Sequence, residues 1–285
     1  MFEATPIVWH NGKIVPREQA DPSIASHSLH LGIGVFDGIT AYWNGDHYYI
    51  HRLIQHLERL HNGSNKIGLY YSWSIETLAA GIEELLEQLP PTTYYIRPII
   101  YRSQPNIFIT NDIADVTILA VTVPRDVNKS LSCQISTFER VSSRAIPIEW
   151  KLCGTYINSY LARTTSQAAG FDDGIMLNQA GNIAEASAAN LLFLHQGSII
   201  TPSLDSDVFP GITRYTLFDI AHDLGIPVIE RTIQPNELAC FEGAFLASTM
   251  MELKPIHNIQ NYQYQTANNQ LFKRILAVFR EITHQ

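Results

Sequence analysis

The chain has 285 residues, 46% of them apolar and only 16% charged, with a net charge of −8. That composition excludes a disordered polymer, and the acidic balance excludes a general nucleic-acid surface. The length suits about two domains, and no run approaches the ~18 uncharged apolar residues of a membrane helix.

In chain order, residues 8–15 read as a β-hairpin turning at Asn11-Gly12, because both residues tolerate the positive φ of a tight turn. Residues 41–50 repeat the pattern around Asn44-Gly45. A helix over 52–62 carries an apolar stripe of Leu53, Leu57 and Leu60. A second helix starts at Ser74, a good N-cap, and repeats apolar residues at helical spacing from Ile75 to Leu89, where Pro90-Pro91 ends it. Strands are predicted over 94–101 and 114–123. The polar segment 124–129 then breaks the pattern. It places a small N-terminal α+β domain over 1–123, a linker over 124–130 and a larger C-terminal domain over 131–285. The second region reads as a strand over 131–138, a helix over 157–169 and a hairpin whose strands include 174–177 and 191–194. A helix over 213–224, strands over 227–231 and 243–247, and a closing helix over 267–282 complete it.

The start of the chain, 1–17, lacks a basic segment followed by an apolar one, so no signal peptide is read there. Cys133, Cys153 and Cys240 are an odd count without CxxC spacing, which fits reduced thiols in the cytoplasm. Gly32-Ile33-Gly34-Val35-Phe36-Asp37-Gly38 has the wrong spacing for a dinucleotide loop. His27-x-x-His30 lacks further ligands at zinc spacing, so no metal is expected.

Five constellations can carry chemistry. Lys151 lies among apolar and small residues, where a desolvated lysine becomes a nucleophile. Tyr156, five residues on, can orient an oxygen of whatever Lys151 binds. The plain alternative for Lys151 is a solvated surface amine. Glu185 is a lone acid in a run of small residues that lets a flat ligand approach; its plain alternative is an exposed acid in a turn. Phe209-Pro210-Gly211-Ile212-Thr213-Arg214 opens a helix whose free N–H groups favour an anion, or it is an ordinary cap. Arg52, His56 and Arg59 are spaced to share one helical face, whose plain alternative is a solvated surface. Tyr95 and Arg97 alternate onto one face of a strand, a pairing that suits a carboxylate or is a plain surface cross-strand pair.

Taken in order along almost the whole chain, these segments resemble the class IV aminotransferases, the pyridoxal-phosphate enzymes of fold type IV. Branched-chain amino acid aminotransferases are the nearest in pattern. The resemblance runs through Asn11-Gly12-Lys13, His30-Leu31-Gly32, Val35-Phe36-Asp37-Gly38, Arg52-Leu53, His56, Arg59-Leu60 and Tyr95-Ile96-Arg97-Pro98. It continues through Arg140, Pro147, Lys151, Tyr156, Glu185, Asn190-Leu191, Pro210–Arg214 and Ser248-Thr249. It implies a two-domain α+β fold like that of D-amino acid aminotransferase, with a smaller N-terminal α/β domain and a larger, mixed C-terminal one that binds the cofactor. Lys151 then resembles the lysine that carries pyridoxal 5'-phosphate and shuttles the proton. Glu185 resembles the acid on the ring nitrogen and Tyr156 the tyrosine on the ring hydroxyl. Arg52, Ile212, Thr213 and Thr249 resemble the phosphate-binding set, with His56 and Arg59 supporting Arg52. Tyr95, Arg97, Phe36, Leu31, Thr249 and Met250 resemble the substrate-lining set.

The implied reaction is ping-pong transfer of an amino group between an amino acid and 2-oxoglutarate. The implied active site lies between two domains near a homodimer contact. Departures from the branched-chain pattern gather around the substrate pocket. Leu31 replaces a tyrosine, Asp37 a glutamate, Thr40 an arginine and Ala186 a glycine, while Met250-Met251 stand where small residues are usual and are expected to crowd the carboxylate site. Three other outcomes stay open: a 4-amino-4-deoxychorismate lyase, a D-amino acid transaminase, and a binding protein that has kept the fold without the cofactor.

Overall fold

The apolar stripes of the two early helices have one sheet face to cover. A computed structural model of the chain describes residues 3–108, 113–122 and 129–284. Of the predicted linker, 124–130, residues 124–128 lie outside the described residues. Two compact units are present: Met1–Pro124 with Glu149–Gly154 and Thr283–Gln285, and Arg125–Ile148 with Thr155–Ile282. Segment 149–154, which the sequence places with the second region, packs with the first.

The first unit holds an antiparallel sheet of β1 (Glu3–Ala4), β2 (Ile7–His10), β3 (Lys13–Pro16), β4 (Gly34–Phe36), β5 (Ile39–Trp43), β6 (Tyr48–Ile50), β7 (Tyr94–Tyr101) and β8 (Asp115–Thr122). Its order is β3-β2-β8-β7-β5-β6, with β1 on β8 and β4 on β7. Asn11 and Gly12 both take positive φ, 47° and 89°, as the two-residue turn requires. The second hairpin differs from expectation. It closes through four residues, because Asn44 Oδ1 accepts from the Asp46 and His47 amides and builds its own turn.

Helix α1 (His27–Leu31) is short. Helices α2 (Leu53–Lys66) and α3 (Ile75–Glu87) pack together on the sheet. Leu57, Leu60, Leu78, Ile82 and Leu85 fill the core with Trp9, Val35 and Ile39. Each fully buried leucine stabilises the fold by roughly 1.5–3 kcal/mol. Ser74 caps α3 by accepting from the Thr77 amide.

The second unit holds β9 (Leu131–Ile135), β10 (Asp173–Leu177), β11 (Ile183–Ala186), β12 (Asn190–His195), β13 (Ser198–Pro202), β14 (Val228–Arg231), β15 (Gly243–Ser248), β16 (Glu252–Ile259) and β17 (Tyr262–Gln263). Their order is β11-β10-β9-β16-β15-β12-β13-β14, with β17 on β16. Helices α4 (Tyr156–Ala168), α5 (Ile212–Asp223) and α6 (Gln270–Thr283) complete it. The expected pairing of 174–177 with 191–194 does not occur. The small-residue strand β11 takes β10 as its partner, and β12 turns back on β13 instead. Both faces of β12 are covered: Phe193 lies in one core cluster, Leu192 and Leu194 in another with α5 and α6. A strand buried on both sides shows no alternation in its sequence.

Candidate active site

Lys151 is held inside the first unit. Its carbonyl accepts from the Phe36 amide at 3.4 Å, and Leu152 bridges to Val35. Trp150, just before it, sits so close to α2 that a Cβ on Gly63 would lie 2.5 Å from the Trp150 carbonyl. The backbone of Lys151 is left-handed, with φ 52°. A non-glycine residue held there stores roughly 1–3 kcal/mol, which the surrounding packing must sustain, and such strain gathers at functional sites. Lys151 Nζ lies 5.2 Å from the centre of the Phe36 ring, and the Arg97 guanidinium lies 4.3 Å from the same centre. Arg97 Nη2 donates to Tyr95 Oη at 3.1 Å. Strand alternation sets Tyr95 and Arg97 on the less buried face of β7, as their spacing predicts. Gly38 makes room for them, since a Cβ there would fall 1.9 Å from Tyr95 Oη.

Arg52, His56 and Arg59 do not form one helical face. Arg52 precedes the helix as its N-cap, with φ 55°. The Arg52 carbonyl accepts from the His56 amide at 3.2 Å. His56 Nδ1 lies 2.8 Å from Asp37 Oδ1, while Arg59 Nε and Nη2 donate to Asp37 Oδ2 and Oδ1, each at 2.8 Å. Asp37 is completely buried. Burial alone would push its carboxyl up, but Arg59 and His56 outweigh that and hold it well below the usual carboxylate range. Burial pushes His56 down, with Asp37 pulling the other way, so the ring is neutral. Sequence reasoning missed this cluster. The signal was an acid inside an apolar strand run, Val35-Phe36-Asp37, with His56 and Arg59 on the facing helix.

In the second unit Glu185 lies on β11 and is only 3% exposed, which rules out an acid in an exposed turn. Arg140 Nε stands 2.9 Å from Oε1. Oε2 accepts from Asn190 Nδ2 at 2.9 Å and from the Phe209 amide at 3.2 Å. A carboxylate held by a cation and two neutral donors is fixed in charge and direction. Helix α5 begins at Ile212 behind Gly211, and no side chain caps it. The first amides of a helix have no partner within the helix, and here no capping side chain occupies them. Thr213 sits on this first turn, buried. Tyr156 is the first residue of α4, half-buried. Thr249 and Met250 form the turn between β15 and β16 and are half-buried. Met251 packs on the core rather than simply crowding that turn. Leu31 is the last residue of α1. It is 53% exposed and lines a hollow of about 550 Å³ with His30, Ile107 and Phe108.

The family model for class IV amino-transferases matches residues 34–259. The chain belongs to the class IV aminotransferases. A probable branched-chain-amino-acid aminotransferase of Synechocystis is 32% identical, over 92% of this chain and 88% of that protein. The branched-chain aminotransferase of Thermoproteus uzoniensis, solved with norvaline, superposes with a TM-score of 0.93 at 34% identity, covering 99% of this chain and 95% of that one. The branched-chain amino acid aminotransferase of Thermobaculum terrenum, solved in its PLP-bound holo form, gives 0.92 at 26% identity, covering 99% and 95%. This aminotransferase therefore has the fold type IV architecture and depends on pyridoxal phosphate. Its own residues fit that group. The first unit offers the amine of Lys151 and the second a buried carboxylate and an uncapped helix start, groups of the kinds that suit an aldehyde, a protonated pyridine and a phosphate.

Proposed function

We propose that this aminotransferase passes the amino group of an apolar, branched-chain type L-amino acid to 2-oxoglutarate in two ping-pong half-reactions. The observation that carries the reading is the shared Phe36 ring, with Lys151 Nζ at 5.2 Å and the Arg97 guanidinium at 4.3 Å. An α-amino acid reacts through its amino group and is gripped by its carboxylate, and the Phe36 ring meets both an amine that can carry the cofactor and a guanidinium that can pair with a carboxylate. The apolar preference is supported by the names of the relatives described above.

When bound, pyridoxal phosphate supplies an electron-accepting ring that stabilises negative charge at the substrate α-carbon. Lys151 Nζ would hold the cofactor and take, then return, the α-proton. Arg97, steadied by Tyr95 Oη, would bind the substrate carboxylate, and Phe36 would exclude water from the side chain's path. Glu185, held by Arg140, Asn190 and the Phe209 amide, would keep the pyridine nitrogen protonated, with Tyr156 oriented towards the ring hydroxyl. Ile212 and Thr213 at the start of α5, with Thr249, would hold the phosphate by hydrogen bonds. Arg52 would supply its counter-charge.

Leu31 and Met250 complete the proposed substrate-lining set. We assign the exposed apolar residues Leu29, Leu31, Phe108 and Ile113 to a homodimer contact. A cytoplasmic setting is supported by the free thiols of Cys133, Cys153 and Cys240. No helix among the described residues is long and apolar enough to cross a membrane. Borohydride reduction of the holoenzyme followed by peptide mass mapping tests the assignment of Lys151. A phosphopyridoxyl mass on Lys151 is expected, and a label on any other lysine contradicts it.

A further inference from the structure

We propose that Asp37 is a positioning residue for Lys151: with His56 and Arg59 it forms a buried, charge-compensated unit that fixes the electrostatic setting in which Lys151 exchanges its proton. The proposal rests on Lys151 being the cofactor-bearing lysine.

The geometry begins with the break between β4 and β5. Asp37 and Gly38 leave the ladder there, and the Asp37 amide donates to the Pro98 carbonyl at 3.0 Å. That break turns the Asp37 carboxylate under the sheet towards α2. There it accepts from His56, from two nitrogens of Arg59 and, at 2.6 Å, from the Gly38 amide. Arg59 is 15% exposed and His56 2%, so water screens neither contact strongly. The cluster holds one anion, one cation and one neutral imidazole. Its formal charge is zero only while Asp37 is ionised.

Lys151 is tied to this cluster by backbone and by field. Phe36, the residue before Asp37, bonds the Lys151 carbonyl through its amide and meets Nζ with its ring. His56 and Lys151 interact electrostatically. The titratable and charged groups of this unit nearest the cluster and Lys151 are Asp37 in the strand break, Arg52, His56 and Arg59 at α2, Tyr95 and Arg97 on β7, and Glu149, which is exposed, and Cys153 on its own segment. The Cys153 thiol is pushed up to about 11 by burial, with Arg97 pulling it down, so it adds no negative charge at neutral pH. Asp37 is therefore the anion that offsets Arg59. Removing its charge leaves the Arg59 guanidinium uncompensated beside His56, which feels both Arg59 and Lys151, and added positive charge disfavours the protonated amine.

The test is the visible absorption of the holoenzyme across pH, in wild type, Asp37→Asn, Asp37→Glu and His56→Gln. Asp37→Asn should lower the pH midpoint of the band by about one pH unit. Asp37→Glu should restore the wild-type midpoint. His56→Gln disturbs a buried contact to the same carboxylate but removes no charge, so its midpoint should stay in place. The pH dependence of acetic anhydride labelling at Lys151 in the apoprotein, read by mass spectrometry, should move the same way, and it serves if Asp37→Asn retains cofactor poorly. An Asp37→Asn midpoint equal to wild type, or a His56→Gln shift as large as that of Asp37→Asn, overturns the proposal. A wild-type protein that shows no visible band with added pyridoxal phosphate overturns the Lys151 reading itself, and the proposal with it.

Discussion

Asn190 ties Glu185 to the loop before α5: its Nδ2 donates to Glu185 Oε2 at 2.9 Å and to the Phe209 carbonyl at 2.8 Å. One amide thus sets both the direction of the buried carboxylate and the position of the chain two residues ahead of Gly211. Replacing it, Asn190→Ala, deprives two buried acceptors of a donor. The expected cost is about 1–3 kcal/mol of stability, together with faster loss of cofactor. Urea unfolding of the apoprotein and the rate of cofactor release measure the two effects; wild-type values for both would show that Asn190 is incidental.

Arg97 is assigned to the substrate carboxylate. A charge-assisted hydrogen bond contributes about 1.5–3 kcal/mol, so Arg97→Gln should raise KM for the amino acid by roughly ten- to a hundredfold. The cofactor band should persist, since Arg97 is not placed on the cofactor, while its pH midpoint should rise as a cation on the same ring as Lys151 is removed. Steady-state kinetics with both substrates decides this, and an unchanged KM would move the carboxylate site elsewhere.

Acid sensitivity follows from the Asp37 cluster, and its sign is fixed. His56 is depressed in the folded protein below its unfolded value of about 6.5. Its contribution is complete above that pH and is lost as pH falls, because the unfolded ring takes up a proton that the folded one refuses. Asp37 is likewise depressed, so its contribution is present above about pH 4 and declines only in stronger acid. His10, lowered by burial against the pull of Asp115, adds to the first stage. Between pH 7 and 5 the wild type should lose stability more steeply than His56→Gln. Parallel denaturation curves for the two proteins would count against a neutral His56.

Cysteine reactivity separates packing from chemistry. Cys133 is buried and its thiol is pushed well above the usual range by burial, with Asp173 and Asp172 adding to the effect. Cys153 is pushed up to about 11, while Cys240 is exposed. Iodoacetamide near pH 8 should label Cys240 first and leave activity intact. Early labelling of Cys153 with loss of activity would give that thiol a role beyond filling space.

The long helices and the central strands were legible because their signals are local. Ser74 and the stripe from Ile75 to Leu89 define α3, and Tyr94–Tyr101 is the strand that was expected. What escaped were elements defined by partners far along the chain. Strand β11 looks like a small-residue turn until β10 pairs with it, and β13 becomes a strand only between β12 and β14. The site followed the same division. Tyr95 and Arg97 were readable from a period of two. Asp37 was not, because its meaning depends on His56 and Arg59, which lie 19 and 22 positions later and reach it across the helix–sheet contact. Arg52 shows the limit of spacing: helical periodicity does not foretell its left-handed backbone as the N-cap of α2.

The most direct measurement is the absorbance spectrum of the purified holoenzyme, repeated after adding single L- and D-amino acids without a keto acid. The account predicts a visible band that L-leucine, L-isoleucine or L-valine bleaches and that 2-oxoglutarate then restores. Bleaching by D-amino acids alone would reverse the stereochemistry. A band that no amino acid alters would contradict transamination of these substrates and favour a lyase on the same cofactor.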